Sequence, residues 1–315
     1  MSGTAHPNVV HLDELPVQRR EAEDIAVDYV RLASAAGAIG IGATRYVVPP
    51  SRRMMPVHVH SDEEELFFVL EGSGLLWQDG VTYAVGAGDT IVHLAQTEAH
   101  TLVAGPDGLT VVAFGEGSRT NITYLPRPQA WWLGTRWIPA DGPNPFRLEA
   151  ALGPLELPGA PQTERPPTVR HLDAIELKVE VRPGYDIAER NLGRAVGSVR
   201  IGLRHDTLAP GTRSCPPHWH TGEEELFLVL DGDGTVELGD QRFGVRTGSV
   251  VVRPPNSGVA HSLLAGAGGL TYLAFGTRDP NDICFYPRSQ KANVGGITFR
   301  LDVVDYWEGE DESPA

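Results

Sequence analysis

Short apolar runs alternate with turn-forming residues along the whole chain. Val81 to Val85 leads through Gly86-Ala87-Gly88-Asp89 into Thr90-Ile91-Val92, and the run Leu109 to Phe114 ends at Gly115. The second half repeats this with Val250-Val251-Val252 and with Leu270 to Phe275. Strands at such spacing, parted by Gly-rich turns, predict an all-β sandwich or barrel. Helix is expected only in short pieces, one of them over Gln18 to Ile25. Period-two alternation puts Phe67 and Val69 on the barrel-facing side after Glu65, and Phe227 and Val229 after Glu225. Such a wall is foremost barrel filling; it also suits a small apolar or aromatic substrate.

The pattern occurs twice. His11-Leu12-Asp13 recurs as His171-Leu172-Asp173, 160 residues on. Pro56-Val57-His58-Val59-His60 recurs as Pro216-Pro217-His218-Trp219-His220, and Glu63-Glu64-Glu65-Leu66-Phe67 as Glu223-Glu224-Glu225-Leu226-Phe227, at the same offset of 160. Ala113-Phe114-Gly115 and Pro126-Arg127 recur at 161, which one inserted residue between positions 256 and 258 explains. A unit of this length is a domain, so the chain reads as a tandem duplication. Phe146-Arg147-Leu148-Glu149 resembles Phe299-Arg300-Leu301-Asp302, which extends the first domain through that segment. The linker is expected near 155–166, where Pro158, Pro161, Pro166 and Pro167 crowd, giving domains 1–158 and 159–315. The acidic end, Glu308 to Ala315, is expected to fray.

Composition narrows the function. The 315 residues carry 36 Gly and 25 Pro, which argues against a helix bundle, and a net charge of −15. So acidic a chain repels phosphate backbones and anionic lipid, so neither nucleic acid nor a membrane is expected as partner. No apolar run approaches the roughly 20 residues of a membrane span. Met1 to Pro16 lacks a signal-peptide core. Cys215 and Cys284 are too few for a disulfide scaffold or a thiolate zinc cluster. A soluble, cytoplasmic protein is the expectation.

The candidate chemistry lies in the repeated motifs. Residues i and i+2 of a strand share a face, so His58 and His60 can aim two rings at one point, as can His218 and His220. Glu65 and Glu225 open the next apolar runs and can face the same interior after a hairpin. His100 and His261 follow a third strand and can close each site. Three imidazoles and a carboxylate, without thiolate, suit Mn, Fe, Co, Ni or Zn with open positions for water or substrate, up to one ion per domain. A single His-x-His is commonly coincidence; the full set, His58, His60, Glu65, His100 and His218, His220, Glu225, His261, occurs twice at matched spacing.

At these residues the chain resembles the cupin superfamily, and most of all the bacterial cupin-2 barrel proteins. His58-Val59-His60, Glu65 and Gly72 fit its first motif, as do His218-Trp219-His220, Glu225 and Gly232. Gly248, Pro254, Gly258 and His261 fit the second; the first half departs from it, with Leu94 and Thr97 in place of the proline and glycine. Ala104 and Ala265 stand where an Asn often follows the last His. The resemblance implies two double-stranded β-helix (jelly-roll) barrels, a bicupin, each with one divalent metal deep in the barrel.

Fold does not fix the reaction. A metal-dependent enzyme on a small organic molecule is the first reading. Within it an oxygenase similar to the quercetin dioxygenase-like bicupins is favoured, ahead of an isomerase or sugar-modifying cupin. Gentisate-type dioxygenases are less similar, because their metal set usually lacks the Glu. A non-catalytic binding or storage cupin is the alternative, and a regulator with a helix-turn-helix finds no room in the chain. A homodimer is compatible with the sequence.

Several residues have two readings. Glu63, Glu64, Glu223 and Glu224 read as exposed turn carboxylates, with an acid or base near the metal as the alternative. His93, replaced by Arg253 in the second half, is a metal-site partner or a satisfied strand histidine. A regular strand would put Cys215 on the opposite face from His218, although Pro216 and Pro217 break that register; it is expected to be inert. Trp131, Trp132 and Trp137 form an aromatic cluster suited to an interface or to the core.

Overall fold

The computed structural model describes residues 6–118, 120–133, 136–138 and 142–310. The chain forms two jelly-roll barrels, each built from an eight-stranded and a four-stranded sheet. In the first barrel the large sheet is centred on the long strands Glu65–Gln78 and His100–Gly115, flanked by Asp89–His93 on one side and Gly42–Val48 on the other. The small sheet carries Val59–His60, Thr123–Leu125, Ala130–Leu133 and Arg136–Ile138. The second barrel repeats this plan around Glu225–Leu238 and His261–Thr277. Glycine opens the centre of both long strands. At Gly72 (φ +78°) an added Cβ would lie 2.2 Å from the Gly108 carbonyl oxygen, and at Gly232 (φ +84°) 2.3 Å from that of Gly269.

Alternation along Glu65–Gln78 sorts its side chains between two cores. Phe67 and Val69 point into the first barrel with Val111 and Ile91. Leu66 and Phe68 point the other way, into an apolar core shared with Leu226, Leu228 and Phe275 of the second barrel. Phe114 and Phe275 meet across this core, their ring centroids 4.8 Å apart. Phe227 and Val229 fill the second barrel, as the sequence pattern implies.

The barrels also exchange strands. Val9–His11 pairs with Ser249–Arg253 of the second barrel, and Val169–His171 pairs with Asp89–His93 of the first. The repeated His-Leu-Asp motif is the latch. His11 Nδ1 accepts from the Asp13 amide, leaving Nε2–H to donate to the Thr247 carbonyl at 2.9 Å. His171 does the same with Asp173 and Ala87. Gly88 (φ +88°) makes room, since a Cβ there would sit 2.8 Å from His171 Nε2.

A pair of acids completes the junction. The Glu64 carboxylate accepts from Ser198 Oγ and from the amides of Val199 and Arg200. Glu224 accepts from the amides of Ile39, Gly40 and Ile41. Both are buried, at 3% and 2% exposure, so the reading of these acids as exposed turn carboxylates is corrected. They are charged clamps on three orphan donors each. Glu64→Ala is expected to lower stability by about 1.5–3 kcal/mol, as for hydrogen bonds to a charged group. A urea midpoint unchanged from wild type would refute the clamp.

Two further expectations fail. Gln18 to Ile25 is not helix: Gln18–Ala22 and Ile25–Arg31 are paired strands joined by a turn in which Glu23 takes φ 52°. The polar run Gln18-Arg19-Arg20-Glu21 is an edge strand with both faces largely open, so it lacks the apolar stripe a helix would need. Nor are Phe146–Glu149 and Phe299–Asp302 equivalent. The first lies in the helix Pro145–Ala151, capped by Asn144 Oδ1 accepting from the Arg147 amide. The second begins in the exposed edge strand Ile297–Arg300, which is matched in the first barrel by Arg136–Ile138. Of the acidic end, Asp311 to Ala315 lie outside the described residues, and Glu308 to Glu310 are exposed.

Candidate metal centres

In each barrel a short backbone bridge brings the motif histidines together. His58 and His100 exchange backbone hydrogen bonds at 3.2 and 2.9 Å, and His218 and His261 do so at 3.2 and 2.8 Å. This bridge sets the rings of His58 and His100 4.4 Å apart. Glu65, first residue of its strand, lies opposite His93 on Asp89–His93 and turns its carboxylate to the same point. Glu65 Oε2 is 3.6 Å from His58 Nε2, 3.3 Å from His60 Nε2 and 3.2 Å from His100 Nε2. All four donor atoms lie within 4.8 Å of one another.

The far ring nitrogens are held by the chain. His58 Nδ1–H faces the Pro56 carbonyl at 2.9 Å, and His100 Nδ1–H faces that of Glu98 at 3.3 Å. These contacts favour the tautomer whose Nε2 lone pair points inward, as metal ligation requires. His60 Nδ1 is met by Asn121 Nδ2 at 2.9 Å. Burial works against the Glu65 carboxylate, yet its contacts with His100, His58 and His60 hold its pKa well below the usual carboxylate range. Burial, with His93 and His58 nearby, depresses His100. On His60 burial is outweighed by the Glu65 and Glu63 carboxylates, which act in the opposite sense and raise its pKa, so a cation must displace a proton there.

His93 lies flat on the His100 ring, centroids 3.5 Å apart and planes 3° off parallel. It is 2% exposed, with Nδ1 near Gln78 Nε2 and Nε2 without a hydrogen-bond partner. Its ring is thus stacked on His100 and meets Phe67 edge-on, centroids 5.7 Å apart.

The second barrel gathers its four motif residues less evenly. His218, Glu225 and His261 form one group, and His220 reaches Glu225 Oε2 at 3.7 Å. His261 Nε2 and Glu225 Oε2 are 2.9 Å apart and buried, yet neither has a hydrogen-bond partner. A cation between them would satisfy both, which is the structural test that the donor set passes. A second group joins His218 and His220 to Cys284, a third joins His220 to Glu223 and Asp282. His220 Nδ1–H donates to Asp282 Oδ2 at 2.6 Å, where Asn121 stands in the first barrel. Cys284 and Asp282 escape a motif reading because they arrive some 60 residues later, around a short strand with no signature of its own; their one signal is the 161-residue offset that aligns them with Thr123 and Asn121. The break in strand register at Pro216 and Pro217 brings Cys215 round to line the second cavity, its Sγ 3.5 Å from His218 Nδ1.

Proton competition differs between the barrels. Burial opposes protonation of His220, but Cys284, Glu225 and Asp282 outweigh it and raise its pKa to about 10. Burial likewise opposes protonation of His218, and Cys215, Glu225 and Cys284 raise it to about 9. A cation must displace those protons, so affinity rises with pH up to the raised values. His261, like His100, is depressed by burial, so the contrast lies in the His-x-His pairs: two strongly raised rings in the second barrel against His60 in the first, and metal affinity is expected to climb more steeply between pH 6 and 9 in the second barrel. Metal titrations of Glu65→Gln and Glu225→Gln variants, each with one intact centre, check the slopes; equal slopes would contradict this.

Each centre opens into a cavity. The first, about 360 Å³, is lined by Tyr29, Tyr46, Met55, Leu125, Trp132 and Phe146 above the quartet. Trp131 is 42% exposed and packs on Tyr124, while the side chain of Trp137 lies outside the described residues. The second cavity, about 1030 Å³, has no counterpart of the Pro145–Ala151 helix over it and is lined by charged groups such as Glu189, Arg204, Glu223 and Arg278. Glu223 is pushed up to about 7 by burial despite His220, with Asp282 and Glu225 adding to the rise.

Two consecutive jelly-roll barrels, each with a His-His-Glu-His cluster lining a cavity, define a tandem metal-site barrel protein. The family model described as the cupin domain matches residues 44–111 and again 204–269, and the chain is a tandem cupin. Among solved structures, oxalate decarboxylase of Bacillus subtilis at pH 4.6 superposes with a TM-score of 0.59 at 17% identity, over 87% of this chain and 76% of that one. A two-residue deletion mutant of the same enzyme gives 0.60 at 16% identity, over 87% and 77%. These likenesses are of fold. No curated protein matches the chain in sequence. Among the described residues no helix is long and apolar enough to cross a membrane.

Proposed function

We propose that this tandem cupin is a divalent-metal-dependent enzyme acting on a small organic molecule held in the first barrel. The observation that carries the reading is the complete quartet, four donor atoms within 4.8 Å of one another, at the floor of an aromatic-lined cavity of ligand size. His58, His60, Glu65 and His100 would hold the ion, one of Mn, Fe, Co, Ni or Zn. When bound it supplies Lewis-acid polarisation of a substrate oxygen and, with a redox-active ion, a site for dioxygen.

The chain's own groups do the rest. Leu125, Trp132 and Phe146 give the cavity an apolar wall. Tyr46 lies in the same wall; burial and the Glu65 charge push its phenol up to about 12, so it stays protonated and donates a hydrogen bond. His93 braces His100 by stacking. A dioxygenase-type reaction is the first choice. A carbon–carbon lyase reaction is the second, supported by the oxalate decarboxylases that share the tandem fold.

Protein reconstituted with each metal in turn, given a panel of small organic acids, phenols and sugars, tests the reading. A dioxygenase consumes dioxygen in step with substrate, whereas a decarboxylating lyase releases carbon dioxide without net consumption. Metal below about 0.2 ion per chain after reconstitution would end the enzyme reading.

A further inference from the structure

The two cavities are built from equivalent strands, and strand pairing fixes which residues correspond. Gln18 pairs with Tyr29 where Lys178 pairs with Glu189, and Tyr29 pairs with Tyr46 where Glu189 neighbours Asp206. Arg20 thus answers to Glu180, Tyr29 to Glu189, Arg31 to Asn191 and Tyr46 to Asp206. One wall of the cavity carries two cations and two phenols in the first barrel. In the second, the same positions carry three carboxylates and an amide.

The first-barrel cations lack acidic partners. The Arg20 guanidinium lies 4.4 Å from the Phe146 ring centroid and 4.9 Å from that of Tyr29. Its polar contacts are Tyr29 Oη at 3.4 Å and Met55 Sδ at 3.9 Å. Arg31, exposed at the rim, sits 6.0 Å from the Tyr29 ring. Among the described residues neither has a carboxylate partner, although the chain holds 41 acids to 26 Lys and Arg. An aromatic frame that positions guanidiniums with their donors free is suited to a planar anion, which arginine binds through two parallel N–H bonds.

We propose that the first barrel takes a flat, apolar monoanion, in simplest form an aromatic carboxylate, and that Arg20 and Arg31 determine this specificity. The carboxylate docks on the two guanidiniums. The body lies against Tyr29, Trp132 and Phe146, with its far end toward the quartet. In the second barrel Glu180 and Glu189 stand on the cavity wall in place of Arg20 and Tyr29, so this clamp is missing there. The proposal rests on the metal-dependent reading of the first site for its purpose, not for its binding chemistry.

Calorimetric titration of the full chain, loaded with Mn(II) and assayed for metal on the same sample, with benzoate and its neutral isostere benzamide tests it. Benzoate is expected to bind at least tenfold more tightly than benzamide. Arg20→Gln is expected to erase that preference, with metal content unchanged. Arg31→Gln, at an exposed position that spares the core, is expected to weaken benzoate several-fold and serves should Arg20→Gln fold poorly. Equal affinities for the two probes, absent benzoate binding, or a benzoate preference that survives both substitutions would each overturn the inference. Loss of metal with benzoate preference intact would instead sink the metal-dependent reading alone.

Discussion

Replacing Glu149 with alanine is expected to cost about 3–5 kcal/mol of folding stability, because it takes the carboxylate from the buried Arg53 and the partly exposed Arg127. Glu149 is fully buried, and its Oε1 lies 2.6 Å from both Arg53 Nη1 and Arg127 Nη1. Arg53 is itself 1% exposed; beyond Glu149 its carboxylate partner is Asp24, at 2.8 Å. With the carboxylate gone, the two guanidiniums face each other across a void that water reaches poorly. The loss extends to the cavity. Glu149 pins the Pro145–Ala151 helix to the barrel, and Phe146 on that helix roofs the first site against Arg20. Glu149→Gln keeps the shape and one acceptor, so its loss should be smaller. Urea denaturation of both variants measures the difference. A midpoint change worth less than about 1 kcal/mol for the alanine variant would show that the arginines find other partners.

What the sequence discloses and what it hides divide along physical lines. The barrels and the quartets are legible because their causes are local or repeated. His-x-His shares a face by strand geometry, Phe67 and Leu66 take opposite sides by alternation, and duplication doubles every signal. The exchange of strands is not legible. His11-Leu12-Asp13 is visible as a motif, but its Thr247 partner lies 236 residues away and nothing local says which barrel it closes. Glu64 reads as a surface acid until the other barrel's amides are placed against it. Gln18 to Ile25 misleads because an edge strand need not alternate apolar and polar residues, so its charged pattern carries no period. Phe146-Arg147-Leu148-Glu149 misleads in the opposite sense. The letters repeat near Phe299, but in the first barrel the buried Arg53 and Arg127 give Glu149 a partner, whereas Arg213 is already paired with Glu237 in the second. Asp282 and Cys284 show that the second centre's chemistry depends on residues outside any motif.

The Glu65→Gln substitution is expected to abolish tight metal binding in the first barrel, lowering affinity by roughly a hundredfold or more, beyond the 10- to 100-fold typical of groups that only orient a ligand. Glu65 Oε2 is the one atom near all three imidazoles, and its carboxylate is the sole charge the quartet offers to neutralise a cation. The amide keeps the volume, so the barrel core around Phe67 should persist. Wild-type protein is expected to hold up to two ions per chain. With manganese, Glu65→Gln and Glu225→Gln should each remove one, and the double variant both. Thermal denaturation gives a second readout, because a ligand at a hundred times its Kd stabilises the folded state by about 2.7 kcal/mol. Added manganese should raise the Tm of wild type, raise it less in either single variant, and leave the double variant unmoved. The variants can also part in identity. With Cys284 beside His218 and His220, Glu225→Gln still leaves a nitrogen–sulfur set that favours zinc or cobalt over manganese, whereas the first barrel has Thr123 at that place and keeps no such fallback. Residual binding confined to zinc or cobalt in Glu225→Gln, with none in Glu65→Gln, would establish that the two centres differ in kind. Full metal content in the double variant would show that neither quartet is a metal site.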